Sequence, residues 1–326
     1  MNAYSKIGEN EVLVKVGACC ISETGRSGKL NSEQASNISR KGDALRKSET
    51  AEGDSFAGEI VRTGRAVIDL NAGDLICVSE GAGRGLSEYA VVNAAECLLL
   101  NSLPEAASDR LAAAEAGALT GSLLHAYHAI FGDGRGFQPG GAVAVVGAST
   151  AGLAAIALAR ACGAGKIISL EPGEEKRLLA KQMGADYVYN PITLQEQNVI
   201  LSDLILDITD HAGVTLQVNT GLRGSFAVEL PEECLEEHAR VVCISDPAEL
   251  PDADKNDLRQ KERRAVIRLM ASGRIDMRKS ITTRIALSDY RMLTKAGLPD
   301  YAGSTVVSQY YESLTAVFGG DSDLVV

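Results

Sequence analysis

The chain has 326 residues, 45% apolar and 23% charged, which suits a globular protein with two domains and a sizeable core. A net charge of −11 repels a phosphate backbone, so nucleic acid is not an expected partner. No apolar run reaches the length of about 18 residues that a membrane-crossing helix needs, and no membrane partner is expected. The opening MNAYSKIGENEV has no basic region leading into an apolar run, so a cytoplasmic location is expected rather than secretion.

Along the chain, NEVLVKVGACC (10–20) alternates apolar and polar residues and predicts a half-buried strand. Residues 22–55 are polar and rich in Ser, Gly and Lys, a long loop with room for one short helix. FAGEIVRTG, AGDLICVS and SEYAVVNAAECLLL then supply short strands separated by glycine turns. From Pro104 the composition turns to helix formers through AAEAGALTGSLLHAYHAIFG. Beyond Ala142, apolar runs alternate with helical patterns: AVAVVG, TAGLAAIALARACG, KIISLE, GEEKRLLAKQMGA, VTLQVNT, ARVVCIS. That rhythm predicts βαβ units and a parallel sheet covered on both faces. Val266, Ile267 and Met270 then recur at helical spacing before a turn at Gly273. The basic cluster Arg259, Lys261, Arg263 and Arg264 is read as the solvated face of this helix.

Seven cysteines, an odd number without a CxxC pair, are Cys19, Cys20, Cys77, Cys97, Cys162, Cys234 and Cys243. Reduced and mainly buried thiols are expected, rather than disulfides or a zinc knot. His211 and His238 are expected on loops or a helix surface, with no functional signal.

The stretch from Ala142 to Glu171 carries the chemistry. A buried strand runs into Gly147, Ser149 and Gly152, with Thr150 and Ala151 opening the helix that follows. A dinucleotide turn must bend sharply, admit the pyrophosphate to the backbone and let the helix pack on the sheet. Three glycines usually do this, and here Ser149 takes the middle place, small and able to offer a hydroxyl to a phosphate. The helix N-terminus presents free N–H groups to that phosphate. The second strand ends at Glu171, nineteen residues past Gly152. A carboxylate there accepts the ribose hydroxyls of NAD and repels the 2′-phosphate of NADP. NAD(H) is the expected cofactor.

In order, EVLVKVGACC, FAGEIVRTG, AGDLI, SEYAVV, AYHA, the nucleotide turn, EEKRLLAKQMGAD, VNTG and LMASGRIDMRKSITTRIAL resemble the medium-chain dehydrogenase/reductase superfamily over roughly residues 10–290. The likeness is to its zinc-type alcohol and polyol dehydrogenase branch. It implies an α/β fold, with a GroES-like β domain (1–120, resumed at 253–326) interrupted by a Rossmann-type, doubly wound domain (121–252). It also implies a homo-oligomer, dimer or tetramer. Under the resemblance Gly147, Ser149 and Gly152 fall on the phosphate turn, Glu171 on the acidic ribose position, Lys176 near the adenosine ribose and Thr220 near the dinucleotide.

The resemblance fails at the metal. Where the branch takes a cysteine this chain has Ser22, where it takes a histidine it has Asp54, with Ser55 beside it for the glutamate, and the third ligand position falls on Gly121. Zinc prefers thiolate and imidazole in a tetrahedral array, so no catalytic zinc is expected. The four-cysteine lobe of a structural zinc is missing too, with only EGAGRG between LICVS and LSEYA. Without a Lewis acid another proton donor is needed. Thr24 matches the hydroxyl relay residue, and Ser22 and Asp54 stand beside it. His125 and His128 lie three apart on one helix face, either as a proton shuttle or as packing groups. The chemistry then has three readings: a zinc-independent NAD(H) oxidoreductase acting on an alcohol or carbonyl, a zinc-free reductase of an activated C=C bond, or a nucleotide-binding subunit without catalysis.

Overall fold

The computed structural model describes residues 7–21, 55–79, 84–220, 230–244, 255–290 and 303–311, with the backbone alone over 255–259. Chain contacts divide it into two compact units, Met1–Gly121 with Ile281–Val326, and Ser122–Ser280. The helix around Val266 therefore belongs to the second unit, not to the returning segment that the sequence reading began at 253. Glu262 of this helix lies 2.9 Å from His128 of the same unit, and Val266, Ile267 and Met270 are buried.

The first unit is built on a seven-stranded sheet. Its strands are β1 (Glu11–Ile21), β2 (Phe56–Thr63), β3 (Leu75–Val78), β4 (Tyr89–Asn93), β5 (Cys97–Leu99), β11 (Ile281–Ala286) and β12 (Ser304–Ser308). The order is β11-β12-β1-β2-β3-β5, with β4 also paired to β1. All pairs are antiparallel except β11 with β12. β1 departs from the expected half-buried strand, because both of its faces are buried from Val16 to Ile21. Its place explains this: β2, β4 and β12 all pair with it, and helix α1 (Arg110–Ala118) packs over it.

Asp109 starts α1 by accepting from the Ala112 N–H at 2.9 Å. The helix is mostly alanine and glycine, so its backbone approaches the sheet closely. Gly117 shows how closely, since a methyl group there would sit 2.7 Å from the Ala57 Cβ of β2. The exception on this helix is Glu115, 6% exposed. The Arg284 guanidinium grips its carboxylate bidentately at 2.7 and 3.0 Å, and the Tyr311 hydroxyl donates to the same oxygen that Nε holds. Burial, and then the Glu115 carboxylate beside it, push the Tyr311 phenol well above the usual range. One carboxylate thus ties α1 to β11 and to the turn after β12.

The second unit carries a five-stranded parallel sheet, ordered β10-β9-β6-β7-β8. Its strands are β6 (Ala142–Val146), β7 (Lys166–Leu170), β8 (Tyr187–Tyr189), β9 (Val214–Asn219) and β10 (Leu235–Cys243). Its helices are α2 (Thr120–Phe131, begun in the first unit), α3 (Thr150–Ala161), α4 (Glu174–Met183), α5 (Pro191–Glu196), α6 (Leu201–Ile208) and α7 (Lys255–Ala271). β6 is buried at every residue, as the continuous apolar run AVAVV implies for a central parallel strand. The strand order reverses between β6 and β9, so two adjacent strand ends open a crevice.

Cys19, Cys20, Cys77 and Cys234 are buried, but Cys97 and Cys162 are only half-buried and Cys243 is exposed. Cys243 ends β10, an edge strand of the sheet among the described residues, whose side chains are largely uncovered. His238 lies on this same strand rather than on a loop or helix, and His211 sits in a left-handed turn after α6. Lys261 and Arg264 are exposed on α7, and Arg263 is half-buried.

Replacing Glu115 by alanine removes the acceptor shared by Arg284 and Tyr311. The change is expected to cost about 1–3 kcal/mol, as losses of hydrogen bonds to buried charged groups do. Urea unfolding of the two chains measures it, and an unmoved midpoint would show that the cluster contributes nothing.

Candidate functional site

The ends of β6, β7 and β9 bring together the residues of the second unit that the sequence assigns to a nucleotide. Gly147 follows β6 with φ +90°, a left-handed backbone that side chains other than glycine rarely adopt. A Cβ at this position would also collide with the Thr220 hydroxyl. The turn is held from both sides. The Gly147 N–H donates to the Leu170 carbonyl of β7 at 2.9 Å. On the other side, the Thr220 N–H and hydroxyl both donate to the Val146 carbonyl, each at 3.1 Å.

Ser149 stands in the place of a glycine, and the backbone shows why this is tolerated. Its φ is −62° with ψ 171°, extended geometry open to any residue. It is also the N-cap of α3, its hydroxyl oxygen accepting from the Gly152 N–H at 3.2 Å. That leaves the hydroxyl hydrogen available to donate. Gly152 is required for closeness instead, because a Cβ there would strike the Gly147 carbonyl. Of the three turn positions, the first needs glycine for its φ, the third for its contact, and the middle for neither.

Ala151 opens α3 beside Thr150, whose hydroxyl is buried with no partner among the described residues. Glu171, 7% exposed, follows β7 and joins two turns. One carboxylate oxygen accepts from the Ala148 N–H at 2.8 Å and the other from the Gly173 N–H at 2.8 Å. Arg177 of α4 donates to the Glu171 carbonyl at 3.0 Å and to that of Pro172. The Lys176 stem lies 3.7 Å from where a Gly173 Cβ would be. Sequence reasoning named neither Ala148 nor Arg177. A main-chain N–H has no sequence signal, and an arginine in the first turn of a helix reads as solvated.

His128 Nδ1 lies 2.9 Å from the Glu262 carboxylate, tying α2 to α7. His125 and Tyr127 are half-buried on α2, and Tyr127 packs against Phe131 with ring centres 4.9 Å apart. Ser22, Thr24 and Asp54 lie outside the described residues. Gly121 lies within them, beside Ser55 and Ser79. Among the described residues, no three His, Cys, Asp or Glu side chains stand together as a metal would require.

Residues 150–286 match the family model described as zinc-binding dehydrogenase. The L-threonine 3-dehydrogenase of Caldanaerobacter subterraneus is 29% identical over 231 residues, which cover 63% of this chain and 64% of that protein. The family model and this relative support the medium-chain dehydrogenase/reductase superfamily. The scyllo-inosose 3-dehydrogenase of Thermotoga maritima is another superfamily relative, 39% identical over 102 residues, 30% of this chain and 25% of the relative. Both alignments span less than two thirds of the relative's length. The alcohol dehydrogenase of Thermus sp. ATN1 overlays with a TM-score of 0.67 at 19% identity, over 94% of this chain and 95% of that one. That likeness is one of fold, the GroES-like and Rossmann-type pair of the superfamily.

The turn predicts an unequal response to substitution. Gly147→Ala forces a left-handed residue against Thr220 and is expected to destabilise by about 1–3 kcal/mol. Ser149→Gly keeps the geometry and exchanges one acceptable cap for another, a change of a few tenths of a kcal/mol. Thermal midpoints of the two variants test this, and equal shifts would refute it.

Proposed function

We propose that this chain is a zinc-independent, NAD(H)-dependent oxidoreductase that transfers hydride between the nicotinamide and a small alcohol or carbonyl substrate. The Glu171 carboxylate carries the reading. Its orientation is set by two main-chain N–H groups, its remaining lone pairs suit the two ribose hydroxyls, and its charge opposes a 2′-phosphate. The groove that Gly147 and Gly152 keep clear of side chains suits a pyrophosphate, and the buried, unpartnered Thr150 hydroxyl lies at the same helix start. Gly147, Ser149, Thr150, Ala151 and Gly152 hold the phosphates, Glu171 and Lys176 the adenosine ribose, and Thr220 supports the turn from beneath. The relatives act, by their names, on a hydroxy amino acid and a polyol-derived ketone, which favours a small hydroxylated substrate.

NAD(H), when bound, supplies or accepts the hydride. The chain's own task is to move a proton at the substrate oxygen, a role we assign to Thr24, with Ser22 and Asp54 as the other candidates, on the resemblance alone. In zinc enzymes the metal offsets several kcal/mol of alkoxide charge. The residues at the corresponding positions here, Ser22, Asp54 and Gly121, offer neither thiolate nor imidazole, so a proton donor of the chain would have to offset the charge at the substrate oxygen instead. With this reading go assembly as a dimer or tetramer and a cytoplasmic location. No helix among the described residues is long and apolar enough to cross a membrane.

Calorimetric titration tests the cofactor. NADH is expected to bind at least about tenfold tighter than NADPH, a difference of about 1.4 kcal/mol, and Glu171→Ser is expected to erase that margin. No heat with either coenzyme at millimolar concentration would overturn the reading. Metal analysis of the purified chain is expected to find no stoichiometric zinc. NADH oxidation with ketones supports the proposal, oxidation with enones alone would replace it by C=C reduction, and silence with both would leave a binding subunit.

A further inference from the structure

We infer that the zinc position is closed in this chain by the packing at Gly121, so that replacing the lost ligands does not restore a metal site. This rests on the zinc-free reading above and gives it a structural cause. Ala114, Gly117 and Gly121 follow one another at spacings of three and four residues, so they share one side of α1 and of the start of α2. Each meets the sheet of the first unit without a gap. A Cβ on Gly17 of β1 would lie 2.8 Å from the Ala114 Cβ. A Cβ on Gly117 would lie 2.7 Å from Ala57 and 3.4 Å from the Cβ of Cys77. A Cβ on Gly121 would lie 2.8 Å from the Ser79 carbonyl oxygen, 2.9 Å from the Ser55 hydroxyl and 3.0 Å from the Ser55 Cβ.

The nearest obstacle to a side chain at 121 is a main-chain carbonyl, which cannot rotate aside as a long side chain does. Ser55 is no freer, because its hydroxyl already donates to the Ala118 carbonyl at the end of α1. Thr120 is held as well, donating to the Gly117 carbonyl at 2.7 Å and lying 3.4 Å from the Cys77 sulfur. Ser55, Ser79 and Thr120 are all buried. The Ser79 hydroxyl has no partner among the described residues, so this packing already leaves a polar atom unsatisfied. A cysteine or glutamate must place its Cβ before any donor atom, and there is no room for one. The oxygens at hand are neutral hydroxyls and carbonyls, a poor donor set for zinc. The helix has settled onto the strand ends where a ligand would project.

Two variants test this. In a helix, alanine is ordinarily more stabilising than glycine, so a rise in Tm is the default for Gly121→Ala. The packing instead predicts a fall of about 5 °C or more. A triple variant, Ser22→Cys, Asp54→His and Gly121→Glu, grown and purified with zinc present, is expected to hold well under about one zinc per chain by metal analysis. A Gly121→Ala chain as stable as its parent, or a triple variant carrying about one zinc, would overturn the inference. If the triple variant does not fold, the alanine variant decides alone. Zinc found in the unaltered chain would instead sink the zinc-free function, which the alanine variant does not address, so the two failures can be told apart.

Discussion

The left-handed backbone at Gly147 is the constraint on which the nucleotide end of the second unit depends. It lets β6 turn into α3 within a few residues while the turn stays bonded to β7 on one side and to Thr220 on the other. Once that turn is made, α3 must begin at Thr150, Ser149 must cap it, and the Ala148 N–H must face the strand end where Glu171 stands. The carboxylate then closes the arrangement by bonding a second turn at Gly173. Strand end, helix start and acidic side chain form one connected set of main-chain bonds, oriented before any ligand arrives. Such preorganisation limits the ordering that binding would otherwise require.

Close approach governs the first unit in a different way. There the helix backbone itself comes down on the sheet through alanine and glycine, and the strands beneath are buried on both faces as a result. This leaves little side-chain volume between the layers and makes the junction sensitive to single methyl groups. The buried Glu115 stands out in such a setting, and its three hydrogen bonds show how its charge is tolerated. It converts a costly buried carboxylate into a tie among three elements that are far apart in the chain.

The residues Ser22, Asp54 and Gly121 read, in the sequence, as a simple absence of thiolate and imidazole donors. The structure adds a positive reason at one of them. Gly121 is where the start of α2 touches the strand ends, and a Cβ there would press on the Ser79 carbonyl and on Ser55.

The alternating and continuous apolar runs determined the strands and their two sheets, because side-chain periodicity is a local property of the chain. The glycines, Ser149 and Glu171 likewise announced, by spacing alone, a tight strand-to-helix turn with a carboxylate at the next strand end. What remained for the tertiary structure depends on neighbours distant in sequence. It decided that β1 is buried on both faces, since three strands and a helix meet there, and that Cys243 is exposed, since β10 is an edge strand among the described residues. It kept α7 with the second unit, and it showed that the serine at 149 is tolerated because only Gly147 needs a left-handed backbone. It also assigned Glu171 its two N–H partners, Ala148 and Gly173, which no residue type encodes, because every main chain offers the same donor and only folding decides which one arrives.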